Sequence, residues 1–217
     1  MTRRVRSSGL ASALAVTLML SQAAAQPAAQ PPSGDTEQVE IAAEFGEAWS
    51  LWDAGDFEAA CTKFTGIRER WPYSASVLLA EGGCHEHFGR FASAWQTYTR
   101  ALEINAADPK ATDFERQARA QAAREKIDGV AAKVPQVTVL LDDAPAGLVT
   151  FVDDAVVTDF IVGTAYPLDP GTHTLALQAN GFQPVSREVT LTAGERLELR
   201  LALEPIAATP PPPTATP

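Results

Sequence analysis

Cysteine and histidine are scarce in this chain, with two of the former and three of the latter among 217 residues. No CxxC pair occurs, so a thioredoxin-like redox motif is excluded, and the few thiols and imidazoles do not follow the usual zinc spacings. A cationic surplus is also missing. The formal charge is −10, which makes nucleic acid and anionic lipid surfaces poor partners. There is no glycine-rich phosphate loop and no serine in a nucleophile elbow, so neither nucleotide binding nor a hydrolase triad finds support. Beyond residue 25 no apolar run reaches the roughly 18 residues that span a bilayer. These absences lead us to expect a chain that is no enzyme, holds no cofactor or metal, and does not insert into a membrane after processing.

The one apolar run lies at the start. Arg3, Arg4 and Arg6 precede an apolar stretch from Leu10 to Leu20, and small residues end at Ala23, Ala24 and Ala25. This is the pattern of a secretory signal peptide over 1–25, cleaved after Ala25, and it places the product in the periplasm or outside the cell. No cysteine follows to accept a lipid. Residues 26–38 and 205–217 are rich in Pro, Ala and Thr and read as a disordered linker and tail.

Between them the period changes once. From 39 to 128 apolar residues recur at helical spacing, as in Ile41, Phe45, Ala48, Trp49 and Trp52. From 136 to 204 the period is two, clearest where Leu197, Leu199 and Leu201 alternate with Glu198 and Arg200. Asp169-Pro170-Gly171, Asn180-Gly181 and Ala193-Gly194-Glu195 mark turns, the last two read as hairpins. Residues 129–135 link the halves. The expected fold class is α+β, helices followed by a small antiparallel β-sandwich.

The helical half repeats itself. Residues 55–67 laid over 89–101 place Gly55 on Gly89, Phe57 on Phe91, Ala60 on Ala94 and Phe64 on Tyr98, and the same 34-residue shift pairs Ala48 with Gly82. Small residues let paired helices approach, and aromatic residues fill the space between them. Residues 113–127 supply a more polar helix to cap the stack. Length and pattern resemble a short tetratricopeptide array, an α-solenoid of helical hairpins. Glu44 and Glu47 depart from that family, which usually has bulky apolar residues there.

The resemblance bears on the four-residue stretch Cys84-His85-Glu86-His87, which has the chemistry of a metal or redox site. In this register it lies in the first helix of the second repeat, facing the helix that carries Cys61. An exported chain meets an oxidising compartment, so a Cys61–Cys84 disulfide is the favoured reading. Zinc and a redox thiol remain alternatives. The same register implies that Phe45, Trp49, Trp52 and Asp53, with Leu79, Gly83, Glu86 and His87 beside them, line a groove for a protein or peptide partner. Core packing of the aromatic residues is the competing reading.

The strand half resembles a PEGA-type domain, through Pro167-Leu168-Asp169-Pro170-Gly171-Thr172-His173, the strand ending Ala179-Asn180-Gly181-Phe182, and Gly194 before a last strand. Asp153-Asp154 stands where such domains usually turn on Asp-Gly. It and Asp142-Asp143 read as solvated turns, and His173 as a strand residue without a triad. Tetratricopeptide-like helices followed by a PEGA-like domain behind a signal peptide are similar in order to exported bacterial envelope proteins of myxobacterial type. That resemblance implies scaffold or adaptor work. The alternative is binding of cell-wall glycan, such as peptidoglycan, by the β domain.

Overall fold

The computed structural model describes residues 34–206, with side chains from Val39 onward. The expected signal peptide, the linker up to residue 33 and the tail from 207 lie outside the described residues. Five helices come first: α1 (Gly34–Asp53), α2 (Phe57–Arg70), α3 (Ala75–His87), α4 (Phe91–Ala107) and α5 (Asp113–Ala131). They pack in sequence as helical hairpins, α1 on α2 and α3 on α4, with α5 laid against α4.

Local chemistry starts and stops these helices. Asp56 and Ser74 accept the Ala59 and Val77 N–H groups at the starts of α2 and α3, and Thr112 with Glu115 forms a reciprocal capping box on α5. Gly55 and Gly89 have φ of +83° and +73°, the left-handed conformation that lets each hairpin turn without a side-chain clash. Ala48, Ala60 and Ala94 are buried, as are Phe64 and Tyr98. Gly82 lies directly against the Tyr98 ring.

Two boundaries differ from expectation. α1 begins at Gly34, so the end of the expected linker is helical, and α5 runs three residues past 128. Glu44 and Glu47 pair with Arg70 and Lys63 of α2, which explains carboxylates where the repeat resemblance leads one to expect apolar residues.

Seven strands follow: β1 (Gln136–Leu141), β2 (Val149–Val152), β3 (Ala155–Val157), β4 (Tyr166–Pro167), β5 (Gly171–Gln178), β6 (Val185–Leu191) and β7 (Arg196–Leu201). They form two sheets, ordered β4-β1-β7 and β3-β2-β5-β6. Val137, Val139 and Leu201 from the first sheet meet Val152, Leu175, Leu177, Val189 and Leu191 from the second in one core. The expectation of an all-antiparallel sandwich needs correction, because β1 and β7 run parallel, in register from Gln136↔Arg196 to Leu141↔Leu201.

Gly194 shows why. Its N–H donates to the Lys133 carbonyl at 2.8 Å, its φ is +74°, and a Cβ there would sit 2.7 Å from the Ala132 carbonyl oxygen. The turn after β6 is thus tucked against the exit from α5, and the chain passes into the other sheet beside β1 instead of folding back along β6. The Asn180-Gly181 turn is also no tight hairpin, since residues 179–184 separate β5 from β6. Gly181 accepts the Ile206 N–H, and Phe182 bridges Pro205, which carries the ordered domain two residues past 204.

Candidate protein-contact face

Cys61 on α2 and Cys84 on α3 form a disulfide, with Cα atoms 5.7 Å apart and both residues buried. The bond uses both thiols of the chain, leaving neither for zinc nor for redox exchange as a free thiolate. Successive residues on a helix point about 100° apart, so the rest of the stretch scatters around α3. His85 is half-buried, and burial, reinforced by the Arg90 charge, lowers its pKa. Glu86 and His87 turn toward the face shared with α1 and α5. Among the described residues no three His, Cys, Asp or Glu side chains converge in a way that could hold a metal ion.

That shared face carries a connected line of rings. Fully buried Phe64 forms its floor, with Phe45 at 5.5 Å and Trp49 at 5.2 Å between ring centroids. Trp49 meets Trp52 at 6.1 Å, and Trp52 meets Phe57 at 4.9 Å and His87 at 5.6 Å. His87 lies over Phe57 at 3.9 Å and touches Phe88 at 5.1 Å. Most of these pairs are edge-to-face, the arrangement that ring quadrupoles favour. Helical spacing places 45, 49 and 52 on one side of α1, and the α2–α3 packing brings Phe57 and His87 to meet them.

The groove and core readings divide along this line. Phe45 and Trp52 are half-buried against the helical core. Trp49 is 40% and Phe88 45% exposed, and Asp53 and His87 are exposed. Leu79 packs away from the rings, against the Ala94, Tyr98 and Val130 cluster. Phe57 and Phe88 join the line without a groove signal in the sequence: the repeat position of Phe57 points to packing, and Phe88 is marked only by its place directly after His87.

Glu86 anchors the α5 side. Its Oε2 accepts the Tyr98 hydroxyl at 3.0 Å and the Lys126 ammonium at 3.1 Å. Burial opposes its charge, but these two hydrogen bonds outweigh it and hold the pKa below the usual carboxylate value. Burial, with the bond to Glu86, pushes the Tyr98 phenol far up.

In the β domain, Asp153 and Asp154 both adopt positive φ, 49° and 65°, in the turn between β2 and β3. Asp153 is more than a solvated turn residue. Its carboxylate accepts the Thr174 N–H at 2.9 Å and contacts His173 Nδ1 at 2.7 Å. Asp142 and Asp143 are exposed.

Residues 163–207 match the PEGA domain family model, well under half of the chain. No curated protein matches. Among solved structures, PcrH from Pseudomonas aeruginosa aligns with 15% identity over 48% of this chain and 97% of its own, with a TM-score of 0.27. That superposition is too loose to bear on fold or function. The PEGA match begins in the connection before β4 and takes in β5, β6 and β7, so it covers the strand half without its first three strands.

Proposed function

We propose that the protein is a non-catalytic exported scaffold or adaptor that holds a protein or peptide partner in the periplasm or cell envelope. The observation that carries this is the ring line from Trp49 through Trp52 and His87 to Phe88, partly open to solvent and braced beneath by Phe64 and the disulfide. Large rigid rings offer contact area at little cost in side-chain entropy, which suits an anchor for an apolar segment. The leader pattern at the N-terminus supports export, and the PEGA match accords with an envelope role. Among the described residues no helix is long and apolar enough to cross a membrane.

Crosslinking of the full-length protein in its native envelope, with a photoreactive group replacing exposed Asp53, one turn beyond Trp49 on the same side of α1, tests this. A discrete protein adduct is expected. Retention of the purified chain on insoluble peptidoglycan, with no protein adduct, overturns the reading in favour of glycan binding.

A further inference from the structure

α4 starts without a cap of its own. Arg90 at its N-cap position makes no side-chain capping bond, so the first-turn N–H groups need another acceptor. Asp169, between β4 and β5, supplies it. One carboxylate oxygen accepts the Ser93 N–H at 2.9 Å and the other the Ser93 hydroxyl at 2.5 Å. A negative charge there also suits the helix dipole. The β domain thus caps a helix of the repeat module 76 residues earlier in the chain.

His173 sets the turn that presents Asp169. Its Nε2 lies 2.8 Å from the Asp169 carbonyl oxygen and its Nδ1 lies 2.7 Å from Asp153 Oδ2. A carbonyl can only accept. Asp153 is ionised, its pKa lowered because the bonds from His173 and Thr174 outweigh the opposing effect of burial. A neutral imidazole has one N–H, so it can serve one of these acceptors and must turn a lone pair on the other. Only the imidazolium satisfies both. Burial alone would lower the His173 pKa, but the Asp153 hydrogen bond and the Asp169 carbonyl reverse that and raise it.

The surrounding charges agree. Asp153 faces the ring from the β2–β3 turn and Asp169 from the β4–β5 connection. Glu188 on β6 is paired with Thr174 and so points to the opposite face of the sheet from His173, which leaves the two aspartates as the charges acting on the ring. α4 contributes neutral Ser93, reached through Asp169. His85 on α3 feels the Asp169 charge, which favours its protonated form against burial and Arg90.

We infer that His173 is a proton-operated latch between the β domain and the helical module. As imidazolium it clamps the turn that seats Asp169 on α4. On losing a proton it keeps Nδ1–H on the Asp153 carboxylate and gives up the Asp169 carbonyl, which loosens the cap. Because the folded-state pKa is raised, the latch is fully engaged below the ordinary histidine value of about 6.5 and is lost as pH rises through the folded value.

Hydrogen exchange and ring ¹⁵N spectra of the full-length protein between pH 5 and 9 test it. His173 should be doubly protonated at pH 6.5, and the Ser93 amide protection factor, corrected for intrinsic pH dependence, should fall at least about tenfold along the His173 titration, an opening change of about 1.4 kcal/mol. The Leu175 and Leu177 amides in the β core should not follow. Asp153→Asn separates latch from structure, because its amide can donate to Nδ1 and leave Nε2–H on the Asp169 carbonyl with a neutral ring. Ser93 protection in that variant should persist to pH 9. A neutral ring at pH 6.5, flat Ser93 protection in the wild type, or the same pH-dependent loss in Asp153→Asn overturns the inference.

Discussion

A side chain on Gly82 would overlap the ring of Tyr98. Tyr98 is fully buried in α4 and tied through its hydroxyl to Glu86, so the ring has nowhere to go. Gly82→Ala gains about 1 kcal/mol of helix propensity, yet overpacking a fixed ring costs about 1–3 kcal/mol. A net loss of stability is expected in urea unfolding, and Tyr98→Leu in the same chain should recover part of it. A Gly82→Ala protein more stable than the parent contradicts this packing.

The disulfide closes a loop of 23 positions between α2 and α3. Cys61→Ala with Cys84→Ala should lower stability by roughly 2–4 kcal/mol, read as a shift of the denaturant midpoint. Reduction of the wild-type chain should reproduce the shift. Identical midpoints with and without reductant would show that the bond contributes nothing.

Trp49 and Trp52 should behave differently although they neighbour each other. Trp49 is the more open but still leans on Phe45 and Phe64, so Trp49→Ala should weaken partner capture at a stability cost of about 1 kcal/mol. Trp52 packs on Phe57 and the helical core, and Trp52→Ala should also cost roughly 2 kcal/mol of stability. Partner capture unchanged by Trp49→Ala removes the ring line as the contact face.

Glu86 gives a pH test on the acidic side. Its pKa is depressed in the folded state, so its contribution is present above the unfolded value of about 4.3 and is lost as pH falls through the lower folded value. The stability gap between wild type and Glu86→Gln should therefore shrink from pH 6 to pH 3 in denaturant titrations. A constant gap means that Lys126 and Tyr98 do not favour the charged form.

The helical half was legible because its determinants are local and repeated. Alanine, glycine and aromatic residues recurring at one 34-residue offset report packing positions directly, and those at 48, 60, 64, 82, 94 and 98 are all buried. The strand half was less so. Alternation in residues 196–201 says that one face is buried but not which strand lies alongside, and β1 is some 60 positions away. The contact of Asp169 with Ser93 left one faint trace, an α4 start with Arg90 where a capping residue belongs. The face itself was half legible. Spacing put Phe45, Trp49 and Trp52 on one side of α1, but only tertiary packing decided that Trp49 opens to solvent while Leu79 turns inward.

The parallel pairing of β1 and β7 has a mechanical meaning. Helices precede β1 and the tail follows β7, so tension applied between the two ends of the chain pulls these adjacent strands past each other lengthwise. Six residue pairs then resist together in shear instead of unzipping one at a time. A chain strung between two anchored bodies would transmit force through its β domain before that domain gave way.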